Sequence, residues 1–140
     1  MTTVEQSKRL IDAGLDPASC TATNPENGHF LKPIPANEAD AEAIPCWDVQ
    51  DLLDIMPEAI DVKNNPKTLL MQKWFNMEDK KCYYSLYYQD NECLCYHEEY
   101  RDTLEAAAVE MVVWLLDNGY ITKRYTMHEI EAMKKLVDEL

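Results

Sequence analysis

One stretch, residues 102–119, constrains the fold more than any other part of the chain. It reads DTLEAAAVEMVVWLLDNG, and its apolar residues cover most of the circumference of a helix. Thr103, Glu110 and Asp117 fall seven residues apart and form its one narrow polar stripe. A helix with so small a polar face is buried on most sides. It is also too short and too acidic for a comfortable membrane span. We therefore predict a central core helix over 102–118.

Capping signals set the ends of this helix and of three others. Asp102 can serve as the N-cap, with Glu105 as its partner in a capping box, and Gly119 supplies the left-handed residue that ends helices. Similar signals, each next to an apolar stripe at helical spacing, predict three shorter helices. These peripheral helices cover residues 3–13, 47–56 and 127–139.

Strand-forming residues fill the region between the second and the central helix. Runs rich in aromatic and branched side chains predict strands over 67–77, 81–88 and 92–100. Their short connections make neighbouring strands antiparallel. The fold class that follows is α+β: a three-stranded antiparallel meander, with the buried helix packed on one face and short peripheral helices.

The chain length of 140 residues fits a single domain, 1–140. Its segments are an N-terminal helix and turn (1–20), a proline-rich loop (21–46), the helix, meander and core helix (47–125), and a C-terminal helix (126–140).

Acidic residues dominate the charge, and the formal net charge is −13. Direct binding of nucleic acid or of an anionic membrane needs clustered lysine and arginine, so the charge argues against both. It is compatible with a soluble protein, with a partner protein that is itself basic, or with mimicry of a polyanion. No basic residue occurs between Lys32 and Lys63, a span that holds eight acids. The candidate interaction residues there are Asp48, Asp51, Asp54 and Glu58. They form either an ordinary solvated face or a nucleic-acid mimic that occupies the basic cleft of a host enzyme.

Tyrosines form a second candidate surface, because six of them lie on the predicted sheet. Tyr84 and Tyr88 represent the face that we expect to contact a protein partner. The alternative is that tyrosine simply suits strands and cross-strand pairs.

Cysteine and histidine give the sharpest metal hypothesis. Cys93, Cys95 and His97 alternate along one predicted strand, and Cys82 lies on its neighbour. Thiolate and imidazole are zinc ligands. However, same-face strand residues lie about 6.5 to 7 Å apart, too far for three to share one zinc easily. We therefore expect no metal and no cofactor. The N-terminus is polar and the five cysteines are odd in number, so we expect reduced thiols in the cytoplasm.

Two stretches resemble a known group of sequences. The first is IPCW at 44–47 leading into DVQDLLDIMP at 48–57, and the second is EAAAVEMVVWLLDNGYI at 105–121. They are similar to short proteins carried by prophages and other mobile elements of gut bacteria, which have no assigned activity and usually have alanine where this chain has Cys46. The resemblance implies a cytoplasmic accessory protein and carries over no catalytic residues.

Taken together, these features predict a non-enzymatic accessory or protein-interaction protein. The first alternative is an acidic inhibitor or nucleic-acid mimic, and the second is a small zinc-binding or thiol-dependent enzyme. Self-association through the apolar face of the C-terminal helix, or through the sheet, stays open.

Overall fold

The core is built around helix α3, Leu104–Asp117, which occupies the predicted stretch. The structure is a computed structural model and describes residues 1–25, 43–123 and 135. Within α3 the buried residues are Ala107, Ala108, Val109, Met111, Val112, Val113, Leu115 and Leu116. The N-cap is Thr103, whose hydroxyl accepts the Ala106 N–H at 3.1 Å, so the prediction of Asp102 as N-cap is wrong by one residue. The carboxylate of Glu105 instead lies 2.9 Å from the Met1 amino group.

An antiparallel sheet of four strands, in the order β3-β4-β5-β6, packs against this helix. The strands are β3 (Ala59–Val62), β4 (Asn65–Asn76), β5 (Lys81–Gln89) and β6 (Cys95–Arg101). The α+β class and the meander are confirmed, whereas the number of three strands is wrong. The missed strand is β3, which is only four residues long.

The proline-rich segment 21–46 is not a loop at its two ends. There β1 (Ala22–Pro25) pairs antiparallel with β2 (Ala43–Cys46) in a separate two-stranded ribbon. Proline lacks a donor, but a two-stranded ribbon has edges on both sides where a missing N–H can be tolerated. The middle of the predicted loop lies outside the described residues.

Two peripheral helices follow their predicted capping signals. Helix α1, Val4–Ala13, begins at a capping box in which Thr3 and Gln6 bind each other's backbone N–H groups. Helix α2, Val49–Ile55, begins at Asp48, whose carboxylate accepts the Asp51 N–H at 2.7 Å. The third predicted helix, 127–139, lies outside the described residues except for Lys135.

The hydrophobic core lies between the sheet and the helices, on one face of the sheet. Helix α3 contacts β5 and β6, and both α1 and α2 contact α3. Fully buried side chains from four other elements and connections meet it there. They are Leu10, Trp47, Leu52, Leu86 and Tyr88. No helix in the described part of the chain is long and apolar enough to cross a membrane.

Candidate functional site

The strongest surface feature is the part of the β4–β5 hairpin that extends beyond its neighbours. Strand β3 pairs with only the first four residues of β4, up to Thr68. Strand β6 pairs with β5 from Tyr84 onward. Residues 69–83 are therefore held mainly by pairing between β4 and β5, which is unbroken from Thr68 to Asn76. We call residues 69–83 the projecting hairpin.

Large apolar side chains of the projecting hairpin face solvent. Met71 is 57% exposed, Trp74 47%, Phe75 57% and Met77 77%. Pairing places Met71 opposite the buried Leu86, so Met71 and Phe75 lie on the helix side of the sheet, and Trp74 lies on the other. Single exposed apolar side chains are common on monomeric proteins, whereas several grouped on one hairpin favour a binding role.

A second aromatic group continues this surface across the other face of the sheet. Trp74 lies opposite Tyr83 in the β4–β5 register. The Tyr83 ring stacks on Tyr100 of β6, with ring centroids 5.1 Å apart and an interplanar angle of 13°. Cross-strand aromatic pairs of this kind stabilise a sheet and leave flat apolar area facing outward. The aromatic row therefore spans three strands.

The turn at the tip of the hairpin is held by side-chain hydrogen bonds. Asn76 accepts the Glu78 N–H at 2.8 Å, and Asp79 accepts the Lys81 N–H at 3.0 Å. The Tyr83 hydroxyl donates a hydrogen bond to the Asp79 carboxylate. This bond lowers the pKa of Asp79 and raises the pKa of Tyr83 to about 12. The tip is thus an ordered turn, and the apolar residues beside it are presented on a defined backbone.

The hairpin carries a small positive charge in an acidic chain. Residues 69–83 hold three lysines against two acids, a formal net charge of +1, whereas the whole chain carries −13. Lys67, just before the hairpin, is buried, with its ammonium 3.7 Å from Asp90. Lys73 lies within the hairpin, with its ammonium 5.6 Å from the centre of the Tyr84 ring. The Lys73 side chain therefore folds over the sheet. The local field at the hairpin favours an acidic partner.

The acidic candidates divide into structural and exposed groups. Asp48 caps α2, and Asp51 accepts a hydrogen bond from the Thr21 hydroxyl, which itself accepts the Asp48 N–H at 2.9 Å. The Asp48 carboxylate therefore caps α2, and the Asp51 carboxylate holds α2 against the segment that precedes β1. Asp54, which bonds Gln50 at 2.8 Å, is exposed. Of the four, only Asp54 and the exposed Glu58 are displayed to solvent without a role in capping.

The two tyrosine candidates have different surroundings. Tyr84 is half-buried on the helix side of the sheet. Tyr88 is fully buried, and its hydroxyl donates to the Pro57 carbonyl at 2.7 Å. Burial raises the Tyr88 pKa far above its ordinary value. Its choice as an exposed contact residue is wrong, because the core side of β5 faces α3. The periodicity of the strand could not reveal which of its two faces a helix covers.

The irregular start of β6 separates Cys93 from the metal candidates Cys95 and His97, and the fourth candidate, Cys82, lies on β5. Cys93 lies before the strand with a φ of 65°, so it does not alternate with Cys95 and His97 as predicted. His97 stacks on Trp114 of α3, with ring centroids 4.0 Å apart, and its Nε2 lies 2.9 Å from Glu99. Cys82 is exposed near the hairpin tip. Over residues 1–25 and 43–123, no three His, Cys, Asp or Glu side chains are close enough to share a metal ion.

Three of the five thiols lie in surroundings that oppose their activation. Desolvation raises the pKa of Cys20, Cys46 and Cys95. The thiolate is the reactive form, so a raised pKa opposes nucleophilic chemistry. No disulfide joins any two of the five cysteines, which all lie in the described part of the chain.

A groove of about 520 Å³ runs between α1 and α3 and is the other concave feature of note. Its rim carries both signs of charge, with Lys8 and Arg9 beside Asp12 and Asp117. Arg9 is held by two hydrogen bonds of 2.7 Å to Glu110 of α3. The groove is wide open to solvent, so its charged groups stay hydrated and screened.

Comparison of the chain with protein-family models, with curated proteins and with solved structures finds no match.

Proposed function

We propose that this protein is a non-enzymatic protein-interaction protein whose contact surface is the projecting hairpin. The observation that carries the proposal is the exposure of Met71, Trp74, Phe75 and Met77 on one ordered hairpin. Aromatic residues and methionine are enriched where protein interfaces bury their cores. Every side chain from residue 71 to 82 is exposed except that of Asn76, which is half-buried.

The cellular setting follows from the resemblance to proteins of mobile elements and from the cysteines. We take the partner of such an accessory protein to be a component of the bacterial cell, so it is sought in a bacterial lysate. Reduced thiols fit the cytoplasm, where disulfides are rare. The absence of disulfides among the five cysteines supports this location.

The surfaces that compete for this role are weaker. Two of the four acidic candidates, Asp48 and Asp51, are occupied by structural hydrogen bonds. An inhibitor that mimics nucleic acid needs its carboxylates displayed together toward a basic cleft. The hypothesis of an acidic inhibitor therefore depends on Asp54 and Glu58. These two residues are changed in the control variant below.

The test compares two double variants of the immobilised chain. Trp74→Ser with Phe75→Ser removes apolar contact area from the hairpin, and Asp54→Asn with Glu58→Gln removes exposed acids outside residues 69–83. The Glu58 carbonyl, which accepts the Leu69 N–H at 2.9 Å, is unchanged in the second variant. A host protein retained by the wild type should be lost by the hairpin variant and kept by the acid variant. Binding should then be repeated with the purified partner by titration calorimetry.

The opposite pattern would overturn the proposal. A partner lost only by the variant of Asp54 and Glu58 would move the contact surface to the acidic face and favour the inhibitor. A partner kept by both variants would place the contact outside both surfaces. Circular dichroism must show that each variant keeps the wild-type fold.

A further inference from the structure

The free edge of β4 presents a regular row of main-chain groups. The Leu69 N–H donates to the Glu58 carbonyl at 2.9 Å, so the main-chain groups of Leu69 point toward β3. Successive residues of a strand direct these groups to opposite sides. Met71, Lys73 and Phe75 therefore point theirs to the same side as Leu69, beyond the end of the β3 pairing at Thr68.

Within the described residues, no strand pairs with this part of β4. An exposed, apolar edge strand is a template on which another extended chain can form hydrogen bonds. Proteins usually protect such an edge with a bulge, a proline or a lysine that points outward. Here the register with β5 has no shift from Thr68 to Asn76, and Pro66 lies before the free edge. Lys73 lies over Tyr84, so its ammonium does not block the edge.

We propose that the free β4 edge binds an extended acidic segment of a partner protein, which adds to the sheet as a further strand next to residues 69–76. This inference rests on the proposed function and adds to it the geometry of binding and the chemistry of the partner. Main-chain hydrogen bonds supply affinity in this mode, and pockets for alternate side chains supply specificity.

Side chains on both sides of the hairpin define what such a segment would carry. Alternate residues of the added strand would lie beside Met71 and Phe75 on the helix side of the sheet. The residues between them would lie beside Trp74 on the other side. Apolar residues suit both positions. Acidic residues suit the middle of the edge and the hairpin tip, because Lys73 lies on β4 and Lys80 and Lys81 lie at the turn that follows it.

Charge also distinguishes an acidic protein segment from the two other molecules that could bind the edge, a second copy of the chain and a nucleic acid. A second copy of the chain would bring another −13 to the complex and would place the two lysine-rich hairpins side by side. A nucleic acid could stack on Trp74, but it offers no row of amide groups to match a strand edge. An acidic protein segment satisfies the charge and the backbone pattern together.

The experiment starts with the 140-residue chain and a displayed library of short random peptides. Enriched peptides should be acidic with alternating apolar residues, and their synthetic counterparts should bind as one peptide per chain. Inverted-charge peptides, with lysine in place of each acid, should bind about tenfold more weakly or worse, as expected when several charge contacts are reversed. A single-stranded oligonucleotide should not compete.

Amide hydrogen exchange then tests the geometry without any mutation. Binding should newly protect the N–H groups of Met71, Lys73 and Phe75. The N–H groups of Gln72 and Trp74, which point toward β5, should already be protected in the free chain. This alternation distinguishes an added strand from a contact made by side chains alone.

A pair of variants gives an independent check. Lys73→Pro removes the edge N–H, at a position where proline is tolerated, and Lys73→Gln removes the same charge but keeps the N–H. The affinity of the proline variant should fall about fivefold below that of the glutamine variant, the value of one net hydrogen bond.

Several results would overturn the inference. They are a library that enriches no acidic peptide, an exchange pattern without alternation, equal affinities for the two Lys73 variants when both are folded, or competition by the oligonucleotide. If light scattering detects a dimer, and the dimer forms through the β4 edge, then the edge binds a second copy of the chain. If partner binding still depends on Trp74 and Phe75 in any of these cases, the proposed function survives and only the added strand is lost.

Discussion

Replacement of Thr2 by valine should destabilise the whole protein, although the residue lies next to the chain terminus. Thr2 is only 2% exposed and Ser7 only 1%. The Thr2 hydroxyl accepts the Trp47 N–H at 3.0 Å and lies 2.8 Å from the Ser7 hydroxyl. The Thr2 N–H donates in turn to the Trp47 carbonyl at 2.8 Å. This small network joins the start of α1 to the segment that enters α2.

The size of the effect follows from what valine leaves behind. Valine has nearly the shape of threonine but offers no hydroxyl, so the buried Trp47 N–H loses its side-chain partner. A buried donor without a partner costs about 1–3 kcal/mol. The Ser7 hydroxyl can turn to the Thr3 carbonyl four residues earlier, as serine does within helices, so the loss of its contact with Thr2 adds little. We expect the free energy of unfolding to fall by about 2 kcal/mol, and the midpoint temperature by about 4–8 °C for a domain of this size.

The assay is urea denaturation followed by tryptophan fluorescence, on protein without an N-terminal extension. Thr122→Val is the matched control, because Thr122 is exposed, and its free energy of unfolding should change by less than about 0.5 kcal/mol. Combining Thr2→Val with Ser7→Ala should cost less than the sum of the single variants, because they share one contact. A Thr2→Val variant as stable as the control would refute the buried network.

Three further predictions concern a helix cap, the core and the hairpin tip. Asp48→Ala should lower the free energy of unfolding by about 1 kcal/mol through the lost N-cap, whereas Asp54→Ala on the same helix should change it by under about 0.5 kcal/mol in chemical denaturation. Leu115→Ala should cost about 2–5 kcal/mol by the same measurement, because Leu115 is fully buried in α3. Tyr83→Phe should raise the lowered pKa of Asp79 in an NMR titration, because the hydroxyl that favours the carboxylate is gone. The contribution of Asp79 to stability is present at neutral pH and is lost as the pH falls through its folded-state pKa. The free energy of unfolding of Tyr83→Phe should therefore change less with pH in the acid range than that of the wild type.

Local signals explain why the helices could be predicted from the sequence. Caps such as Thr3 with Gln6, and Asp48 with the Asp51 N–H, act over three residues and need no distant partner. The apolar content of α3 likewise shows burial without knowledge of what covers it. The N-cap of α3 was misplaced by one residue because Asp102 and Thr103 are adjacent and both suit the position.

Strand pairing depends on information that the local sequence does not carry. Strand β3 joins β4 through Lys63 and Asn64, which have φ values of 53° and 64°. Turns of this type usually contain glycine, and lysine rarely adopts a positive φ, so the hairpin gave little signal apart from Asn64. The β1–β2 ribbon joins residues more than twenty positions apart, for example Ala22 with Cys46, and no periodicity reveals such a pair.

The location of the candidate surfaces likewise depends on packing that the local sequence does not reveal. Composition identified a tyrosine-rich sheet, and Tyr84 and Tyr88 do lie on it, but the choice between core and surface depends on where α3 packs. The predicted alternation of Cys93 with Cys95 and His97 breaks at the Asp90 turn. There the Asp90 carboxylate accepts the N–H groups of Glu92 and Leu94, both at 2.9 Å, and β6 starts only at Cys95. The free edge of β4 arises from the unequal lengths of neighbouring strands, which no single strand reveals.

The acidity of the chain and the exposed edge of β4 are connected by the physics of association. An apolar edge strand invites pairing between copies, which leads to aggregation. A net charge of −13 makes copies repel one another before their edges meet. At physiological salt, however, charges more than about 8 Å away are largely screened, so a segment already at the hairpin experiences chiefly the charges beside it, Lys73 among them. The net charge of the chain therefore keeps copies apart without excluding the proposed acidic strand from the β4 edge.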